Sequence, residues 1–276
     1  MKVVETVTEM REAVGASDRP LGLVPTMGYL HEGHLALVRR GRFENTTLAV
    51  SIFVNLAQFG PSEDFASYPR DMDSDLAKLH GEGTDLVFAP SLTEIYPDGF
   101  EMQVEVGVLG ARLEGESRPG HFRGVATVVC KLLSIVRPDR AYFGQKDVQQ
   151  TKVVTQMVRD LNLGAEVVVV PTVREEDGLA LSSRNAYLSP EERTAATVLY
   201  RALGVAQRMR DDGVSDAGQV KREMRSLIAT EPLASIDYVS IADDRSLLEL
   251  DRIEDGAVVS LAVRIGRTRL IDNVSL

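Results

Sequence analysis

LGLVPTMGYLHEGHLALVRRGR, residues 21–42, contains an apolar run, a glycine turn and a periodic segment in immediate succession. LGLVPT (21–26) is short, Val- and Leu-rich and ends near a proline, which reads as a strand. Gly28 supplies the turn, and HLALVRRGR, starting near Gly33, continues at helical spacing. A strand that feeds a helix this way leaves unpaired backbone N–H groups at the positive end of the helix dipole. Such a place suits a phosphate. His31 and His34, two of the chain's four histidines, fall around the first helical turn, and a spacing of three keeps both imidazoles on one side. Gly33 removes a side chain that would block close approach. Two surface or capping histidines are the plainer reading of an isolated pair. A metal site would need a third ligand, and no obvious partner stands nearby.

Moving outward, the same alternation recurs. TLAVSIFVN (47–55), TDLVFAP (84–90), RAYFG (140–144) and AEVVVVP (165–171) read as strands, and their near-continuous apolar character predicts cover on both faces, as in a parallel sheet. Helices lie between them: DSDLAKLHG runs into glycines, and GVATVVCKLLSIV has one apolar face stopped by Pro138. DVQQTKVVTQMVRDLNLG is expected to end at Gly164 as a C′ glycine. The fold class expected is α/β, a Rossmann-like doubly wound parallel sheet over residues 1–172. After residue 172 the pattern changes. REEDGLALSSRNAYL is a polar loop. Ser189-Pro190-Glu191-Glu192 is a capping box that opens a long helix to about Arg210, and a second helix spans 215–229. The end reads as strands and a hairpin, so residues 173–276 form a second, smaller α+β domain, expected to act as a lid.

Composition narrows the function. The 276 residues carry 31 Lys and Arg against 41 Asp and Glu, a net charge of −10 that repels phosphodiester backbones and argues against nucleic-acid binding. Cys130 is the only cysteine, so no internal disulfide or cysteine metal cluster can form. Apolar runs fall short of a membrane span and the start has no signal-peptide core, so a cytoplasmic protein is expected, with no membrane partner. There is no G-x-x-x-x-G-K-[ST] loop, and GEGTDL (81–86) lacks the third glycine of a dinucleotide fingerprint.

Three further sets of residues could carry chemistry. In GQKDVQQ (144–150), Gly144 lets backbone approach a ligand, Lys146 is a mobile cation, and Asp147 could cap a helix or bind a ribose hydroxyl. In LSSRN (181–185), two hydroxyls and an arginine can donate to a polyphosphate. Gln58 and Gln150 each offer a donor and an acceptor, which suits a substrate bearing carboxylate and hydroxyl groups. Taken singly, each is an ordinary polar loop.

Together, MGYLHEGH, SIFVN-x-x-QFG, YPR, RPGHFRGV, FGQKD-x-QQ, PTVREEDGLA-x-SSRN and the terminal RLIDN resemble, in order and spacing, the pantothenate synthetase (pantoate–β-alanine ligase) family of the H-x-G-H nucleotidyltransferase superfamily. The resemblance runs nearly end to end. It implies an AMP-forming ligase that joins pantoate to β-alanine through a pantoyl adenylate, with ATP as co-substrate and Mg²⁺ as cofactor. It implies that Met27, Gly28, Tyr29, Leu30, His31, Glu32, Gly33, His34, Gly144, Gln145, Lys146, Asp147, Val173, Leu181, Ser182, Ser183 and Arg184 bind ATP. Gln58 and Gln150 would hold pantoate, and Gln58 would also serve β-alanine. His34 would be the proton donor, with His31 and Lys146 completing the catalytic set. Asp73 and Asp75 are candidates for the carboxylate nearest the metal, and a homodimer is implied. Leu56 stands where the family usually has proline, and Leu181 where methionine is common. The alternatives are a related H-x-G-H nucleotidyltransferase acting on a phosphorylated substrate, and a non-catalytic ATP-binding protein. A class I aminoacyl-tRNA synthetase fits neither the acidic charge nor the lack of an RNA-binding module.

Overall fold

A computed structural model describes residues 1–60 and 65–276. The chain divides into two units: residues 1–145 with 149–171, and residues 146–148 with 172–276.

The first unit is built on six parallel strands, β1 (Lys2–Val4), β2 (Leu21–Thr26), β3 (Thr47–Ile52), β4 (Leu86–Phe88), β5 (Arg140–Gly144) and β6 (Glu166–Val170), in the order β1-β4-β3-β2-β5-β6. Its helices are α1 (Val7–Gly15), α2 (Glu32–Glu44), α3 (Met72–Gly81), the single turns α4 (Leu92–Ile95) and α5 (Glu114–Ser117), α6 (His121–Val136) and α7 (Val148–Asp160). Alternate strand residues enter two different cores. Leu23, Ala49, Phe88, Ala141 and Phe143 pack with α1, α6 and α7, while Val24, Val50, Val87 and Tyr142 pack with α2 and α3. The sheet is therefore doubly covered, as the unbroken apolar strands require. The chain leaves β2 for β3 on one side and later returns through α6 to β5 on the other. That reversal puts a topological switch point between the carboxyl ends of β2 and β5, where open α/β sheets bind ligands.

The second unit has three antiparallel strands, β7 (Ala234–Ala242), β8 (Val258–Ile265) and β9 (Thr268–Ser275). Helices α8 (Pro190–Ala195), α9 (Val198–Asp211) and α10 (Ala217–Ile228) belong to it. Leu199, Leu203, Met224 and Ile228 of α9 and α10 meet Val239, Ile241, Val259 and Leu261 of the sheet.

The structure departs from the sequence expectations at three local points. β1 is an additional edge strand of three residues with only Val4 buried, too short to show a period. Helix α7 stops at Asp160, and Asn162 rather than Gly164 takes the left-handed conformation, at φ 53°. Asn tolerates that region because its short side chain bonds locally. The single helix expected to follow Ser189 is two. Thr194 and Thr197 hydroxyls donate back to the carbonyls of Pro190 (3.0 Å) and Thr194 (2.8 Å), a pattern that bends helices, and α8 ends between them. The capping box itself forms, with Ser189 Oγ accepting from Glu192 N at 3.2 Å.

Candidate active site

Backbone geometry at the end of β2 shapes the candidate residues of the first unit. Gly28 has φ 81°, and a Cβ there would sit 3.0 Å from both Asp75 Oδ2 and Ile52 Cγ2. Tyr29 follows at φ 52°, a left-handed conformation that costs a non-glycine residue about 1 kcal/mol or more. The turn is held by α3. Asp75, 1% exposed, accepts from Tyr29 N and Leu30 N, each at 2.7 Å, one on each carboxylate oxygen. Lys78 Nζ donates to Leu30 O at 2.7 Å. Both Asp75 oxygens therefore serve the turn, which leaves this carboxylate poorly suited to approach a metal, while Asp73 is exposed on the first turn of α3.

His31 is the N-cap of α2 and His34 its third residue. They cap each other's backbone: His31 Nδ1 accepts from Gly33 N at 3.1 Å, and His34 Nδ1 accepts from His31 N at 3.3 Å. The rings lie 4.1 Å apart between centroids. An imidazole whose Nδ1 accepts carries its proton on Nε2 when neutral, so the capping bonds select the same tautomer on both rings. Each ring then presents an Nε2–H donor at the positive end of α2. Glu32 points outward and pairs with Arg39, so its backbone rather than its carboxylate belongs to this turn.

Gln58 ends a 3-10 turn, Leu56–Gln58, after β3. Its Oε1 accepts from Asn55 Nδ2 at 2.9 Å, and its Nε2 lies 3.2 Å from Met27 Sδ, which brings it beside the histidine turn. Asn55 is oriented in turn by Tyr96, whose hydroxyl donates to Asn55 Oδ1 at 2.7 Å. Burial pushes the Tyr96 hydroxyl up to about 12, keeping it a donor. Helix α6 closes against this turn at Gly124, where a Cβ would meet Ala57 O at 2.1 Å. His121 and Arg118 both reach Gln58 O, at 2.9 and 3.4 Å. Asn55, Tyr96, Arg118 and His121 are not evident as one group in the sequence. Asn55 lies only three residues from Gln58, but Tyr96 reaches Asn55 across 41 residues, and Arg118 and His121 reach Gln58 O across 60 and 63; the SIFVN and RPGHF blocks hint at all but Tyr96. Gln150, in the first turn of α7, is partly exposed, whereas its neighbour Gln149 is buried and spent on Glu114 N, Leu109 O and Arg112 O.

Gly144 and Gln145 lie at the carboxyl end of β5, in the first unit. Gln145–Asp147 is a 3-10 turn leading into α7. The second unit holds the remaining set. Lys146 Nζ lies 3.5 Å from Asp147 Oδ1. Leu181 N donates to Val173 O at 3.0 Å, so these two apolar residues sit side by side across a short hairpin. Ser182 caps the 3-10 turn Ser183–Tyr187 by accepting from Arg184 N at 3.3 Å, and Ser183 is buried. Among the described residues, no group of three or more His, Cys, Asp or Glu could hold a metal ion. No helix among them is long and apolar enough to cross a membrane.

The family model described as Pantoate-beta-alanine ligase matches residues 2–275. The chain is 59% identical over 276 residues to the pantothenate synthetase of Roseiflexus castenholzii, covering 100% of this chain and 99% of that protein. It is 61% identical over 274 residues to that of Chloroflexus aurantiacus, covering 99% and 97%. The crystal structure of pantothenate synthetase from Thermus thermophilus superposes with a TM-score of 0.95 at 52% identity, covering 99% of each chain. That of pantoate-beta-alanine ligase from Francisella tularensis, complexed with beta-gamma ATP and beta-alanine, gives 0.83 at 33% identity, covering 100% and 97%.

Proposed function

We propose, from the premise that the chain belongs to the pantoate-beta-alanine ligase family, that it joins pantoate to β-alanine through an enzyme-held pantoyl adenylate. A pantoate carboxylate oxygen attacks the α-phosphorus of ATP, and pyrophosphate leaves with growing negative charge. The β-alanine amine then attacks the acyl carbon, and AMP leaves. The observation that carries this reading is the reciprocal histidine cap, which aims two Nε2–H donors from a positive helix terminus. His34 is assigned as proton donor to the phosphate oxygens, with His31 beside it. Lys146, Ser182, Ser183 and Arg184 are assigned to the phosphates, Val173 and Leu181 to the adenine. Gln58, with its amide oriented by Asn55, is assigned to pantoate and β-alanine, and Gln150 to pantoate. The Francisella tularensis relative, complexed with beta-gamma ATP and beta-alanine, supports ATP and β-alanine as ligands. Mg²⁺ is proposed to enter on the ATP phosphates, with phosphate and water oxygens as most of its ligands, in keeping with the commitment of Asp75 to backbone.

The test separates the half-reactions. With β-alanine omitted, ATP and pantoate should release about one pyrophosphate per site and then slow, because the mixed anhydride is held away from water. Adding β-alanine to the isolated complex, without fresh ATP, should release pantothenate and AMP in equal amounts. Oxygen label in the pantoate carboxylate should appear in AMP. Unlabelled AMP would point to attack at the β-phosphorus, and ADP with phosphate to an acyl phosphate; either result would overturn the adenylate. A homodimer is also proposed, supported by the prevalence of two-fold association. Sedimentation at micromolar concentration should give twice the chain mass, and a monomer mass would refute it.

A further inference from the structure

We infer that Asp272 and Asn273, adjacent on β9, are positioning residues for the nucleotide-facing groups of the second unit. This deepens the function proposed above and rests on it, since it takes Lys146, Val173 and Leu181 as ATP contacts. The RLIDN block has so far no role in that function, yet its last two residues are among the least exposed polar groups of the chain, at 2% and 3%.

Neighbouring residues on a strand face opposite ways, so two adjacent buried polar side chains serve two different partners. Asp272 receives both Nη atoms of Arg174, at 2.6 and 2.9 Å. Arg174 also donates to Gly178 O at 3.0 Å and lies over the Tyr200 ring at 4.9 Å. It sits within the 173–181 hairpin, paired with Ala180 across it, and immediately follows Val173. A bidentate carboxylate–guanidinium pair fixes a plane as well as a distance. Asp272 therefore sets the hairpin that carries Val173 and Leu181. Asn273 works on the other element. Its Nδ2 donates to Lys146 O at 2.8 Å, fixing the main chain from which the lysine side chain extends. Asn273 lies in register with Ser260 and Ser240, both buried, on the sheet face away from the α9 and α10 core. This polar row has no place in the unit's apolar core. Strand β9 also packs against the Ser183–Tyr187 turn. One strand thus touches each segment that bears a proposed ATP group in this unit. Displacement of about 1 Å in such groups can cost two orders of magnitude in rate, which gives a remote brace its leverage.

The experiment is a double-mutant cycle on the full chain, read as ATP affinity by calorimetry. Asn273→Ala should weaken ATP binding about tenfold, the scale of one lost buried hydrogen bond, and leave the pantoate KM within about twofold. In a Lys146→Ala background the same substitution should cost less than about twofold, because its effect runs through residue 146. Asn273→Ser, too short to reach Lys146 O but still polar, should repeat the result and stands in if the alanine variant does not fold. Unchanged ATP affinity in the folded Asn273 variant, with Lys146→Ala alone weakening it, would overturn the brace and leave the proposed function standing. A full second tenfold loss in the Lys146→Ala background would mark a general structural effect and also overturn it. If Lys146→Ala alone left ATP affinity unchanged, the assignment of Lys146 to ATP would itself fall, and the brace with it.

Discussion

At the scale of single residues, hydrogen bonding decides which atom of each histidine can work. His34 Nδ1 accepts from His31 N, so a neutral ring carries its proton on Nε2. On the proposed function, replacing His34 with alanine removes the donor assigned to the developing charge, and kcat for pyrophosphate release should fall by about 10²–10³. The fold should survive, because His34 is only partly buried. Near-normal turnover in that variant would remove His34 from the mechanism. Asp75 makes a separate prediction. Asparagine at 75 can accept at only one of its two positions and turns an N–H₂ toward the other backbone N–H, a cost of about 1–3 kcal/mol. Asp75→Asn should therefore lower both stability and kcat, by releasing the strained Tyr29 turn. A variant with normal kcat and a normal melting temperature would show that the turn holds itself. The two histidines were legible in the sequence because their motif is local. The role of Asp75 was not, since it acts across 45 residues and depends on where β3 delivers α3.

At the scale of elements, the amino ends of the strands are tied by a residue far from the histidine turn. Asp139 precedes β5, accepts from Leu21 N at 2.6 Å and from Arg19 Nε at 3.0 Å, and its carbonyl accepts from Glu166 N at 2.8 Å. It thereby links β2, β5 and β6. Burial alone would raise its carboxyl, but the Leu21 N–H and the Arg19 guanidinium outweigh it and hold the group below its ordinary 3.8. A lowered folded-state value means the unfolded chain takes up the proton first as pH drops. This stabilisation is therefore present above about pH 4 and fades as pH falls through the folded value. Asp139→Asn should be less stable than the parent in urea at pH 7, and the two midpoints should converge as pH falls through the lowered folded value. Parallel curves over that range would exclude the linkage. Elements like β2 and β5 were readable to the residue because both faces are buried and Pro or Gly bounds them. β1 and the α8–α9 break were not, because one is a three-residue edge and the other turns on hydroxyl bonds that no apolar period reports.

At the scale of the whole molecule, the chain builds separate apolar cores that share no residue. Two flank the parallel sheet and one lies between β7–β9 and α9–α10. The change of pattern after residue 172 was visible in sequence, whereas the assignment of residues 146–148 to the second unit was not. That assignment goes with an unforeseeable contact between Asn273 and Lys146, 127 residues apart. Separate cores predict separate opening. Met224 is fully buried in α10 and belongs only to the second core. Met224→Ala leaves a cavity worth about 2–5 kcal/mol, which local opening should express only where that core is shared. Hydrogen exchange should speed up through β7, β8, β9 and α10 by the corresponding factor. Amides of β2, β3 and β5, which pack in the other cores, should keep their protection. Because Asn273 lies on β9, the variant should also weaken ATP binding in proportion to the time that strand spends open, without altering the histidine turn. If both sheets lost protection equally, the two units would be one cooperative body, and the independence argued from their cores would be wrong.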